Sequence, residues 1–357
     1  MNIIRGLRGL PSSGGAGCAL IIGNFDGVHR GHQAMLALLN NEARHRGVPS
    51  CVMTFEPHPR DHFAAVHQKP ELAPARIATL RDKLEELARC GVDQCVVMPF
   101  NAALAAQSPQ AFIEDILVGQ LGVRYVLVGD DFRFGAKRAG DYAMLDAAGQ
   151  RLGFDVARMQ SYEVHGTRVS SSAVRAALAG GDMERVAALL GRHYAISGHV
   201  VHGRKLGREL GATAAGAGDG FRTLNLRFAH WKPAASGIFA VLVHGLLPNG
   251  PALPGVANLG VRPSLDPQDV NGGRVLLETH CLDWPAALTL HLGGREAYGK
   301  IIRVELLHKL HDELKYDSLD ALTRGIAQDC DAARQFFATL PEQAYGQTHR
   351  QTTRDRI

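Results

Sequence analysis

The chain changes rhythm near Tyr194, and that change limits its possible folds more than any other feature. Before it, short apolar runs at Cys18 to Asn24, Ser50 to Phe55, Gln94 to Phe100 and Tyr125 to Gly129 alternate with helical patterns at His32 to His45, Arg76 to Cys90 and Pro109 to Leu121. Such runs are typical of strands buried on both faces. Their alternation with helices predicts a doubly wound, Rossmann-like α/β sheet that binds ligands beyond the carboxyl ends of its strands. After it, Ile196 to Val201, Leu224 to Phe228, Ile238 to Val243, Val256 to Leu259, Val275 to His280, Leu288 to Leu292 and Ile301 to Leu307 read as strands divided by glycine and proline turns. With no helix between them, these predict a small antiparallel β-barrel.

A helix from Ser318 to Thr339 is expected to close the barrel, and helices Ser171 to Ala179 and Met183 to Leu190 to form the junction. The expected division is residues 1–186 for the α/β domain, 187–340 for the barrel domain and 341–357 for a disordered tail, since the polar stretch from Gln343 lacks apolar residues to pack. A chain of 357 residues is long enough for two separate cores.

Charge and cysteine usage narrow the function classes. The formal charge of +4 is spread thinly over a large surface and gives no basis for a nucleic-acid stripe. The six cysteines show no C-x-x-C spacing, and several lie in apolar runs, which points to buried reduced thiols and a reducing compartment. Proline and glycines follow Arg5 and Arg8 where a signal peptide needs its apolar core, and no run approaches the ~18 apolar residues that span a membrane. The expectation is a cytoplasmic protein without membrane or nucleic-acid partners; nothing in the sequence sets an oligomeric state.

The stretch GNFDGVHRGH, Gly23 to His32, follows the first apolar run directly. A helix starting near Val28 would offer unpaired N–H groups and its positive dipole end to an anion, while glycines at 23, 27 and 31 let a nucleotide approach the backbone. His29 and His32, at i and i+3, share a face of the first turn and can both donate to a phosphate whose charge grows as a P–O bond breaks.

His29-Arg30-Gly31-His32 resembles the HxGH signature of nucleotidyltransferases. Together with TFEPHP (Thr54 to Pro59), GDDFRFG (Gly129 to Gly135) and RVSSSAVR (Arg168 to Arg175), the chain resembles the bacterial bifunctional riboflavin kinase/FAD synthetase family from Ala19 to about Phe337. The resemblance implies that the N-terminal module transfers AMP from ATP to FMN, with His29 and His32 catalytic. It places Gly23, Asn24, Phe25, Asp26, Gly31, Asp131, Arg168, Ser171, Ser172 and Arg175 around ATP and its phosphates. Transfer at phosphorus is mostly positioning and charge stabilisation, so these residue types suit it.

In the second half, VVHGRKLGRELG (Val200 to Gly211) resembles the family's glycine-rich kinase loop, which implies that Gly203, Lys205 and Gly207 cover ATP phosphates. Glu278 matches the catalytic glutamate that would deprotonate the ribityl hydroxyl of riboflavin, and Thr223 with Asn225 matches the Mg²⁺ site. Departures are Ser172 for threonine, Arg222 for proline, an apparent insertion at Ala212 to Asp219, and His311 where relatives often carry arginine. The expected function is conversion of riboflavin to FMN and of FMN to FAD, with riboflavin, FMN and ATP as small-molecule substrates. An alternative keeps only the FMN adenylyltransferase and makes the barrel a flavin-binding or regulatory module. A third, an OB-like nucleic-acid binder, would need aromatics interleaved with basic residues, and Trp231 and Trp284 lie in loops without such clusters.

Overall fold

The four apolar runs of the first half form neighbouring parallel strands: β2 (Cys18–Ile22), β3 (Ser50–Glu56), β4 (Gln94–Pro99) and β5 (Val123–Gly129). Two further strands, β1 (Asn2–Arg5) and β6 (Asp155–Met159), complete an all-parallel sheet of order β1-β4-β3-β2-β5-β6. Both are edge strands and largely exposed, so they lack the continuous apolar signal of the central four. This computed structural model describes residues 1–7, 17–160, 162–164, 166–201, 223–228, 232–247, 249–261, 275–284 and 297–341. The chain divides into two compact units, Met1–Pro74 with Leu80–Ala173, and Ala75–Thr79 with Val174–Ile357.

In the first unit the helices are α1 (Arg30–Arg46), α2 (Pro59–Val66), α3 (Leu80–Arg89), α4 (Ala102–Ala106), α5 (Pro109–Ala111) and α6 (Tyr142–Leu152). Two apolar cores flank the sheet, one centred on Leu20, Met53 and Val126, the other on Ile21, Leu36, Leu39 and Leu127. The sequence places one helix from Arg76 to Cys90, but α3 begins only at Leu80. Ile77 and Ala78 fit the helical period, yet they are buried within the second unit, where Arg76 forms a lone parallel bridge to Pro233. The expected helix Pro109 to Leu121 is also irregular: α5 is one turn that widens into a π-helical stretch, Phe112–Gln120. A two-stranded ribbon, β7 (Glu163–Val164) with β8 (Thr167–Arg168), leads into α7 (Ser171–Gly180).

In the second unit α8 (Met183–Leu190) precedes six antiparallel strands: β9 (Tyr194–Val201), β10 (Thr223–Arg227), β11 (Gly237–His244), β12 (Leu253–Val261), β13 (Val275–Cys281) and β14 (Ile301–His311). They close a barrel in the order β10-β13-β12-β11-β14-β9. Phe239, Leu226, Leu277 and Leu306 are fully buried in it. The final helix, α9 (Leu319–Ala338), packs Cys330, Ala333 and Phe337 onto Ala240, Leu242 and Val256, which marks that strand face as the outer one. Along β13 burial alternates, so Leu277 and Thr279 point one way and Leu276, Glu278 and His280 the other. The expected strand Leu288 to Leu292 and the polar tail from Gln343 lie outside the described residues.

Candidate functional site

Strand order reverses between β2 and β5, so the turn after β2 lies at the crevice where doubly wound sheets bind nucleotides. In that turn Phe25, Gly27 and Val28 have φ of 49°, 86° and 40°. For Phe25 and the β-branched Val28 this is strained, on the order of 1–3 kcal/mol each, and both are held there by almost complete burial. Three side chains hold the turn's carbonyls. Thr54 Oγ1 donates to Asn24 O (3.2 Å), Ser171 Oγ to Asp26 O (3.0 Å) and Gln33 Nε2 to Val28 O (2.9 Å). Three oxygens that would repel an anion are thereby taken up by donors. Asn24 Oδ1 is buried with no hydrogen-bond partner, an acceptor suited to a ligand hydroxyl or amine.

His29 caps α1: its Nδ1 accepts from the His32 backbone N–H (3.3 Å), so the neutral ring carries its proton on Nε2 and donates from there. The two imidazoles stack at 3.7 Å and 14°, and Phe25 lies 4.9 Å from the His32 ring. Gly31 permits this, because a Cβ there would meet His29 Nδ1 at 3.2 Å and Val169 O at 3.4 Å. Desolvation first, then the neighbouring His29 and the Lys83 ammonium, hold the His32 pKa well below the usual histidine value. The neutral His32 ring is therefore available as a hydrogen-bond donor.

The other expected phosphate residues are placed unevenly. Ser170, not Ser171 or Ser172, caps α7 by accepting from Ala173 N–H (3.2 Å); Ser171 secures the turn and Ser172 is exposed. Arg168 and Asp131 are exposed, and Arg168 lies 3.4 Å from Asp130 at the end of β5, the strand beside β2. Arg175 Nε donates to Ala75 O (2.7 Å) within the second unit.

Sequence reasoning missed two features of this unit. Phe55, Phe100, His62 and Phe63 form an edge-to-face ring cluster with centroid spacings of 5.5 to 5.8 Å, beside the carboxyl ends of β3 and β4. Its signal was present in TFEPHP and PFN, which follow those strands. The second is Lys83, an entirely buried lysine. A cavity of about 870 Å³ lies nearby between the ends of β1 and β4, but no residue of the Gly23–His32 turn lines it.

In the barrel, register assembles what sequence separates. Asn225 on β10 lies directly opposite Glu278 on β13, and Thr223 opposite His280. Glu278 is in turn opposite Asn258 on β12. Facing residues of adjacent strands bring their Cβ atoms to about 5 Å, so Asn225, Glu278 and Asn258 form one polar row on the barrel's outer face. Asn225 Nδ2 lies 3.4 Å from both Thr223 O and Thr223 Oγ1. The Oδ1 atoms of Asn225 and Asn258 are buried without hydrogen-bond partners.

Gly203, Lys205, Gly207, Arg222 and the Ala212 to Asp219 insertion lie outside the described residues. His311 is committed to α9: its Nε2 lies 2.7 Å from Asp329 Oδ1 and its Nδ1 2.7 Å from Asp312 O. Burial opposes the charged ring, but these two acceptors and the carboxylates of Asp329 and Asp312 outweigh it and raise the pKa.

A nucleotide-type crevice on a parallel sheet, joined in one chain to a barrel with an outer polar row, defines a class of two-site phosphate-handling protein. The comparisons specify it. Residues 13–173 match the FAD synthetase family model and residues 190–337 the riboflavin kinase family model. The bifunctional riboflavin kinase/FMN adenylyltransferase of Escherichia coli (strain K12) is 44% identical over 337 residues, covering 94% of this chain and 98% of the relative. Its namesakes in Pseudomonas fluorescens (41%, 95% and 98%) and Haemophilus influenzae (40%, 94% and 99%) are similarly close. The chain belongs to the bifunctional riboflavin kinase/FMN adenylyltransferase family. The crystal structure of a macrolide-efflux protein from Streptococcus pneumoniae shares the fold, with a TM-score of 0.65 at 22% identity over 94% of this chain and 98% of that one.

Proposed function

We infer that the chain makes both flavin cofactors: riboflavin plus ATP gives FMN and ADP in the barrel, and FMN plus ATP gives FAD and pyrophosphate in the α/β unit. The observation that carries the kinase half is the register of β10 on β13, which sets Glu278 beside Thr223 and Asn225. An adenylyltransferase with a merely regulatory barrel would not need that row. We assign adenylyl transfer to residues 1–186 and the kinase to residues 187–340.

In the kinase, the Glu278 carboxylate takes the proton of the ribityl 5′-hydroxyl as that oxygen bonds to the γ-phosphorus of ATP and the bond to ADP breaks. Thr223 Oγ1 and the orphan Asn225 Oδ1 are hard oxygen donors on one strand face, a set that fits Mg²⁺. Bound there, the ion would neutralise charge on the ATP phosphates. In the α/β unit the nucleophile is the FMN phosphate, already an anion, so no base is required. His29 and His32 donate to the phosphate undergoing transfer while the FMN oxygen displaces pyrophosphate from the α-phosphorus. The Gly23–Gly31 turn holds the nucleotide, with Arg168 and Ser172 available to its phosphates and Asp131 near the nucleotide or its magnesium. The Phe55–Phe63–Phe100 cluster offers ring faces to a flavin.

Among the described residues no helix is long and apolar enough to cross a membrane, and all six cysteines are free thiols. Both observations suit the ATP-supplied cytoplasm to which we assign the enzyme.

The test crosses two variants in one chain supplied with riboflavin, ATP and Mg²⁺. Glu278→Gln should lose FMN formation by a factor of about a hundred or more while still converting added FMN to FAD. His29→Ala/His32→Ala should do the reverse, accumulating FMN with FAD synthesis down about a hundredfold or more. Equal loss of both activities in either variant would overturn the two-site assignment.

A further inference from the structure

Lys83 lies on the core-facing stripe of α3, with Leu80 and Leu84 beside it and Leu87 one turn on, and exposes no surface to solvent. Burying an ammonium costs several kcal/mol, so a fold that keeps one where a leucine would pack is using its charge or its hydrogen bonds. Its Nζ donates to Thr54 Oγ1 (3.3 Å), and that hydroxyl donates onward to Asn24 O (3.2 Å) in the Gly23–His32 turn. Thr54 is itself fully buried, one residue past the last β3 position paired with β2. Lys83 is also close enough to His32 to contribute to the lowered pKa of that ring.

We propose that Lys83 is a positioning residue for adenylyl transfer: it grips Asn24 of the turn through Thr54. The effect follows from its place. The relay keeps the Asn24 carbonyl turned away from an incoming anion. Lys83 acts through the turn.

The inference rests on placing adenylyl transfer at the Gly23–His32 turn. Lys83→Met keeps most of the side chain's length and removes the amine donor; Thr54→Val removes only the relay. Initial-rate kinetics of FMN adenylylation are measured for both variants and for the double variant, with ATP and FMN varied separately. Riboflavin phosphorylation by the same preparations reports the barrel, and circular-dichroism melting reports folding. Lys83→Met should raise KM for ATP about tenfold or more and lower kcat, leaving KM for FMN and the kinase rate near normal. Thr54→Val should give a smaller loss, and the double variant should be no worse than Lys83→Met alone, as residues acting through one relay are not additive. Unchanged ATP kinetics in Lys83→Met overturn the proposal. If Lys83→Met does not fold, Thr54→Val with wild-type ATP kinetics overturns it instead. If His29→Ala/His32→Ala leaves FAD synthesis intact, the placement of the site has failed rather than the role of Lys83.

Discussion

The two phosphate-handling regions solve related problems with different parts, and the nucleophile explains the difference. In the barrel the attacking group is a neutral hydroxyl, and the proposed site there offers a carboxylate, Glu278, opposite Asn225. In the α/β unit the attacking group is a phosphate that is already charged. The proposed site there has two stacked imidazoles and a turn whose carbonyls accept hydrogen bonds from Thr54, Ser171 and Gln33. One site is made by strand register, the other by a contiguous turn.

A register-built site should fail abruptly when one member is lost, which is the sharpest way to break the comparison. Thr223→Ala and Asn225→Ala each remove a hard oxygen from the row beside Glu278. We expect riboflavin phosphorylation to drop about a hundredfold or more, since a phosphate-neutralising ion is worth several kcal/mol to the transition state. FMN adenylylation in the same preparations should be unaffected. Kinase rates within twofold of wild type at saturating Mg²⁺ would show that the row does not hold the ion.

A turn-built site should instead degrade by degrees as its backbone is displaced. A Cβ at Gly31 would press on His29 Nδ1 and Cε1, at 3.2 and 3.3 Å, and on Val169 O at 3.4 Å, so the ring must shift by a few tenths of an ångström. Gly31→Ala should therefore lower kcat for FAD synthesis about tenfold, between the wild type and the double histidine variant, with the kinase untouched. A loss as large as that of His29→Ala/His32→Ala would mean that the turn collapses as a unit.

The same contrast decides what could be read from the sequence. GNFDGVHRGH is contiguous, so the turn and its stacked imidazoles could be read locally, whereas the placement of Arg168, Ser172 and Arg175 could not. The pairing of Asn225 with Glu278 depends on how two strands far apart in the chain align, and periodicity carries no register; it came only from resemblance, and Asn258 was not seen at all. Lys83 stayed hidden because a lysine within LRDKLEELAR reads as part of a solvated face, although it sits three residues after Leu80 and four before Leu87. Edge strands β1 and β6 were missed for want of an apolar run, and Arg76 to Thr79 read as helix because tertiary burial of Ile77 and Ala78 overrides a local period.

The smallest expected effect concerns the barrel's frame rather than its chemistry. Both ring nitrogens of His311 face acceptors, Asp329 Oδ1 from α9 and the Asp312 carbonyl, so the protonated ring ties β14 to the final helix. The Asp312 carboxylate, which Lys309 also pairs, adds to the negative field around the ring. The folded pKa is raised above the unfolded value of about 6.5, so the stabilisation is complete below that pH and fades as pH rises through the folded pKa. The ring is part-exposed and the pair screened, so the gain is modest. His311→Ala should melt lower than wild type by a few degrees at pH 6, with the gap narrowing steadily on the alkaline side. Tryptophan fluorescence isolates this unit, because Trp231 and Trp284 are the chain's only tryptophans and both fall in Val174–Ile357. Asp329→Asn should flatten the same pH dependence while His311 remains in place. A gap that instead widens with pH would reverse the sign and show that the neutral ring, not the imidazolium, holds the helix.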